Sequence, residues 1–96
     1  MLARVTTWEG GTAEGLRAAA DEMRRNVEGG PPEGMRSTGI TMLVDPEGGR
    51  ALMIGLFADA DALQESEKVL AQMTPPEGIG SRTALDVYEV AAEARL

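Results

Sequence analysis

Pro31-Pro32-Glu33-Gly34-Met35-Arg36-Ser37 recurs further along the chain as Pro75-Pro76-Glu77-Gly78-Ile79-Gly80-Ser81. Each copy stands between a stretch with helical spacing and one with strand character. The chain therefore reads as two β-α-β halves. The helix starts correspond as well, Thr12-Ala13-Glu14-Gly15-Leu16 against Asp59-Ala60-Asp61-Ala62-Leu63. Rigid turns after helices account for the Pro-Pro-Glu-Gly segments without any ligand.

Working outward, Leu2 to Glu9 carries Val5, Thr6, Thr7 and Trp8 and ends at Gly10-Gly11, which predicts a first strand closed by a turn. Ala13, Leu16, Ala20, Met23 and Val27 then recur at helical spacing, with Glu14, Arg17, Asp21, Arg24 and Glu28 on the other side. Thr12 is the expected N-cap, and Gly29-Gly30-Pro31-Pro32 ends that helix. Arg36 to Val44 reads as a second strand, and Asp45-Pro46-Glu47-Gly48-Gly49 as a hairpin loop leading into a third, Arg50 to Ala58. Asp59 caps a second helix running to Met73, Thr74-Pro75-Pro76 stops it, and the last strand spans Arg82 to Val90. The tail Ala91 to Leu96 is an extension with little diagnostic value.

Ninety-six residues leave room for one small domain, residues 1–96, and no second module. At 43% apolar and 26% charged, the composition is that of a globular chain rather than a disordered or membrane-embedded one. A net charge of -7 repels phosphate backbones and anionic headgroups, so nucleic acid and membrane are not expected partners. With no Cys and no His, disulfides, thiolate nucleophiles, His/Cys zinc sites, haem ligation by His and any Ser-His-Asp arrangement are excluded. Met1-Leu2-Ala3-Arg4 shows no basic n-region before an apolar run, and Ala51 to Ala58 is too short to span a bilayer; a cytoplasmic location is expected.

The element order β-α-β-β-α-β predicts an α+β, ferredoxin-like fold. It implies a four-stranded antiparallel sheet of order 4-1-3-2 with two helices on one face, the crossovers being taken to set the central strands 1 and 3 parallel. If the hairpin pairs Asp45 with Arg50, Leu43 faces Leu52 and Met42 faces Met53. Extended to the outer strands through the repeat, one face holds Val5, Thr7, Thr41, Leu43, Leu52, Ile54, Leu56, Leu85 and Val87. The other holds Arg4, Thr6, Trp8, Ile40, Met42, Met53, Gly55, Phe57, Arg82, Asp86 and Tyr88, with all three aromatic residues. Two helices cover one face only, so a mixed face bearing Trp8 needs a further cover, and a second copy of the sheet supplies it: a two-fold homodimer is expected.

The βαββαβ order, the opening RVTTWEGGTAEGL, the segment LVDPEGGRALMIGLFADADAL and the closing ALDVYEVA resemble the dimeric α/β-barrel superfamily. Within it, the chain resembles the small proteins grouped with antibiotic biosynthesis monooxygenases. The resemblance implies a dimeric barrel and cofactor-independent, metal-free oxygenation of a flat aromatic or polyketide-like substrate. In that reading Trp8, Met53, Phe57 and Arg4 bind the small aromatic ligand, Trp8 by stacking. Tyr88 and Arg82 act as the catalytic pair, stabilising a developing oxyanion. The haem-degrading branch needs a His ligand that this chain lacks.

Each residue also has a plainer reading. Gly55 makes room for Trp8 in a packed core, Tyr88 is a dimer contact, and Arg82 pairs with Asp86 or Glu77. Asn26, the only Asn, suits a helix-end or surface role, and the i, i+2 carboxylates Asp59/Asp61 and Glu65/Glu67 point apart as solvated charges. The competing function is therefore a non-catalytic small-ligand-binding or structural homodimer.

Overall fold

The computed structural model describes Met1–Leu96 and runs β1 (Leu2–Gly10), α1 (Ala13–Glu28), β2 (Ser37–Asp45), β3 (Arg50–Phe57), α2 (Ala60–Leu70) and β4 (Gly80–Glu89). Both helices start at the expected caps. The Thr12 hydroxyl accepts from the Gly15 N–H at 3.0 Å, and the Asp59 carboxylate accepts from the Ala62 N–H at 2.8 Å. In the repeated turns Gly34 and Gly78 share nearly the same left-handed backbone, φ 86° and 84°. The two halves thus use one device to approach the strand that follows each helix, a conformation that glycine adopts without a Cβ penalty. No helix is long and apolar enough to cross a membrane.

The sheet order is β2-β3-β1-β4, the expected 4-1-3-2 read from the other edge. All three pairings are antiparallel, which corrects the parallel centre. Each crossover skips a strand. It makes β1 parallel to β2 and β3 parallel to β4, and the hairpin then turns β3 against both its neighbours.

Asp45 pairs with Arg50, Leu43 with Leu52 and Met42 with Met53, as the hairpin predicts. The faces of β4 differ from expectation. Its register jumps from Ala84 opposite Thr7 to Arg82 opposite Trp8, so Thr83 is an extra residue. Such a bulge inverts side-chain parity beyond it. Leu85 and Val87 consequently share a face with Thr6 and Arg4, whereas Asp86 and Tyr88 share one with Val5 and Ala3. The three aromatic residues are therefore divided between the two faces. The other edge carries the same device, Thr38 being skipped between Ser37 and Gly39, and each extra threonine donates to a neighbouring carbonyl, Thr38 to Leu56 and Thr83 to Thr7.

A second correction concerns which face the helices cover. They pack on the mixed side: Leu16, Ala19, Ala51 and Ile79 form the buried cluster, with Trp8, Met42 and Val44 against it. Phe57 at the end of β3 and Ala62 on α2 are buried as well, at 2% and 1% exposure. The buried Ser66 accepts from the Arg36 N–H at 2.8 Å, tying α2 to the chain entering β2. None of the nine buried residues lies on the opposite, aliphatic face of the sheet, which is left open.

The α1 start packs against the second repeat without side chains between them. A Cβ on Gly15 would lie 2.6 Å from the Cα and O of Gly78. Helix propensity favours Gly15→Ala by about 1 kcal/mol, but backbone atoms cannot rotate away, and overpacking of this kind costs about 1–3 kcal/mol. Gly15→Ala is expected to lower the unfolding free energy, read as a lower urea midpoint, by a net of about 1–2 kcal/mol, because the approach is to backbone and the upper part of the overpacking cost applies. Gly29→Ala, at φ -83° with its nearest non-neighbour atom at 3.6 Å, should change little. Equal midpoints for the two variants would contradict this packing.

Candidate binding site

The candidate ligand-contacting residues do not converge on one cavity. Trp8 lies in the helix-side core, its indole Nε1–H donating to the buried Thr6 hydroxyl at 3.1 Å. Met53 lies on the same side between Thr6 and Met42. Phe57 is fully covered, and Gly55 makes room for the Phe57 ring, whose edge would be 3.1 Å from a Gly55 Cβ, rather than for Trp8. Arg4 reaches under α2, its Nε donating to Glu67 at 2.7 Å with only 12% of the side chain exposed. That pairing satisfies the guanidinium within the fold.

The proposed catalytic pair is separated. Arg82 is an exposed edge residue opposite Trp8 and takes part in none of the ion pairs, neither with Asp86 nor with Glu77. Tyr88 is 56% exposed on the open face, beside Ala3.

The open face is ordered in rows by the register. Across β4, β1, β3 and β2 these run Tyr88-Ala3-Leu56-Gly39, then Asp86-Val5-Ile54-Thr41, then Ala84-Thr7-Leu52-Leu43, then Ser81-Glu9-Arg50-Asp45. The centre is aliphatic and the hairpin end is charged. A depression of about 330 Å³ lies there, floored by Thr7, Leu43 and Leu52 and rimmed by Glu9, Asp45 and Arg50. Arg50 donates to Asp45 at 2.8 Å, and the Gly48 N–H donates to the other Asp45 oxygen at 3.0 Å. Both bonds hold the Asp45 carboxyl below its ordinary pKa, the Arg50 hydrogen bond first, and Asp45 in turn raises Arg50. A second crevice, about 190 Å³, lies between α1 and β2 and is lined by Ala20, Met23, Arg24, Val27, Ile40 and Met42.

The rim could be found from the sequence only through the Asp45–Arg50 pairing, which sets the charged row. The depression depends on which face the helices leave open, and no single residue type signals that.

Because folding lowers the Asp45 pKa, its contribution to stability is present above the ordinary carboxylate range, near pH 4, and is lost as pH falls through the folded-state value. Asp45→Asn is therefore expected to lower stability at neutral pH and to flatten the acid limb of a stability-against-pH curve. Parallel curves for the two proteins would contradict the assignment.

Comparison of the chain with family models, with curated proteins and with solved structures found no significant match to any of the three.

Proposed function

We propose that this chain is a cytoplasmic homodimer of the dimeric-barrel kind, with two sheets packed open face to open face, and that it binds a small apolar or aromatic molecule between them without catalysis. The observation that carries this reading is the aliphatic surface of Ala3, Val5, Leu43, Leu52, Ile54 and Leu56, on which no helix packs, opposite the face that carries the buried cluster. Leu43 alone is 49% exposed. Monomers rarely leave such a contiguous patch in water.

Its size suits a second copy. Four strands about 4.8 Å apart, each rising about 3.3 Å per residue over the eight residues of β3, span roughly 500 Å² in plan. Pleating and side chains raise the accessible area above that, toward the roughly 800 Å² per partner of a standard interface. The hairpin-end depression, roofed by a second sheet, becomes an enclosed apolar chamber with a polar rim, the usual form of a small-ligand site.

Binding is favoured over oxygenation because Trp8, Phe57 and Arg4 are committed to the core. Tyr88 shares the open face but lies at the end of the sheet away from the depression, beyond the rows of Asp86 and Ala84, so it gives the enzymatic reading no support.

Light scattering on a sizing column and titration with the neutral fluorophore N-phenyl-1-naphthylamine test the proposal. The native chain is expected to elute as a dimer and to enhance the probe's emission. Leu43→Glu, a substitution at a half-exposed position with little expected cost to the fold, should give a folded monomer that has lost the enhancement. A native chain that is monomeric at micromolar concentration would overturn the reading.

A further inference from the structure

We infer that the two copies meet about a two-fold axis running parallel to the strands between β1 and β3, so that each row of the open face lies across the same row of the partner in reverse order. This inference rests on the homodimer reading and specifies its geometry.

The rows are self-complementary in that arrangement and in no simple alternative. Reversing Ser81-Glu9-Arg50-Asp45 sets Glu9 against the partner's Arg50 and Arg50 against the partner's Glu9, giving two opposite-charge contacts per dimer. Reversing Ala84-Thr7-Leu52-Leu43 sets the small Ala84 against the partner's Leu43 and Thr7 against the partner's Leu52. Reversing Asp86-Val5-Ile54-Thr41 gives the Asp86 carboxylate a hydroxyl donor, the partner's Thr41, and sets Val5 against the partner's Ile54. Reversing Tyr88-Ala3-Leu56-Gly39 sets the Tyr88 ring over the partner's Gly39 and Ala3 under the partner's Leu56. Opposite charges thus meet in the end row, the Asp86 carboxylate meets a hydroxyl donor, and the small Ala84, Ala3 and Gly39 meet larger side chains, while the depression at Thr7, Leu43 and Leu52 is left between the sheets for the ligand.

A two-fold axis across the strands keeps each strand over its own copy and exchanges the ends of the sheet. Glu9 would then face the partner's Ala3, and Arg50 the partner's Leu56. Those contacts desolvate charges against hydrocarbon, a cost with nothing to offset it. The flexible Arg50 side chain, 63% exposed in the single chain, absorbs the sideways slip that sheet twist introduces at the end row.

The charged row allows a test that separates contacts between chains from those within one. Glu9→Arg alone places Arg against the partner's Arg50 twice, and Arg50→Glu alone places Glu against the partner's Glu9 twice. Each variant, checked for its fold by circular dichroism, is expected to dimerise roughly tenfold more weakly than the native chain at low salt, the sum of two rim contacts turned repulsive. An equimolar mixture of the two variants restores both attractive contacts, and only in heterodimers. Sedimentation equilibrium of the mixture should therefore recover association close to that of the native chain, although the contacts within each chain stay altered. Raising the salt concentration should shrink the difference between the variants and the native chain. A native dimer whose single variants associate normally, or whose mixture is no tighter than either variant alone, would overturn the axis while leaving the homodimer standing. A monomeric native chain would remove the homodimer itself.

Discussion

A four-stranded sheet has two faces, and this chain has helices for only one of them. The rest of the structure follows from that shortage. The helix layer is held by a few specific contacts: the Gly15–Gly78 approach, the Ser66 hydroxyl on the Arg36 N–H, and Arg4 under α2 with Glu67. Between them lies a small apolar cluster around Leu16, with Trp8 packed against it from the sheet, and Phe57 is buried apart from it. A core of this size is marginal for a chain of this length. Covering the aliphatic side as well would add a second layer of burial, which is a physical reason for the chain to associate.

The elements and their order were legible because each boundary had its own chemistry. Thr12 and Asp59 cap helices, the repeated Pro-Pro-Glu-Gly segments separate each helix from the strand that follows, and Asp45 with Arg50 registers the hairpin. The faces of β4 were not legible, since parity was carried from the repeat through a strand that contains one extra residue. Thr83 has no composition signal that marks it as a bulge. A single inserted residue moved Asp86 and Tyr88 to the open side and Leu85 and Val87 to the helix side. The parallel centre was an error of topology rather than of sequence, because the crossovers relate strands that are not neighbours.

The same parity change decides how the site is read. A site built from Trp8, Tyr88 and Arg82 needs those side chains around one ligand, and the register divides them between faces. Trp8, Met53, Phe57 and Arg4 are then understood as the core under the helices, with the one buried charge among them paired. The aliphatic face carries the depression, the charged row and the exposed phenol. Association must also overcome the mutual repulsion of two chains of net charge -7. Apolar burial at the centre and opposite charges at the rim act together against it.

The most direct test of the central claim is isotope-filtered NMR on a mixture of labelled and unlabelled chains, observing contacts between protons of different molecules. The account predicts intermolecular contacts between the methyls of Val5, Leu52 and Ile54, with none from Leu16 or Ala19 beneath the helices. Intermolecular contacts confined to helix residues, or tumbling at the rate of a single chain with no such contacts at all, would contradict it.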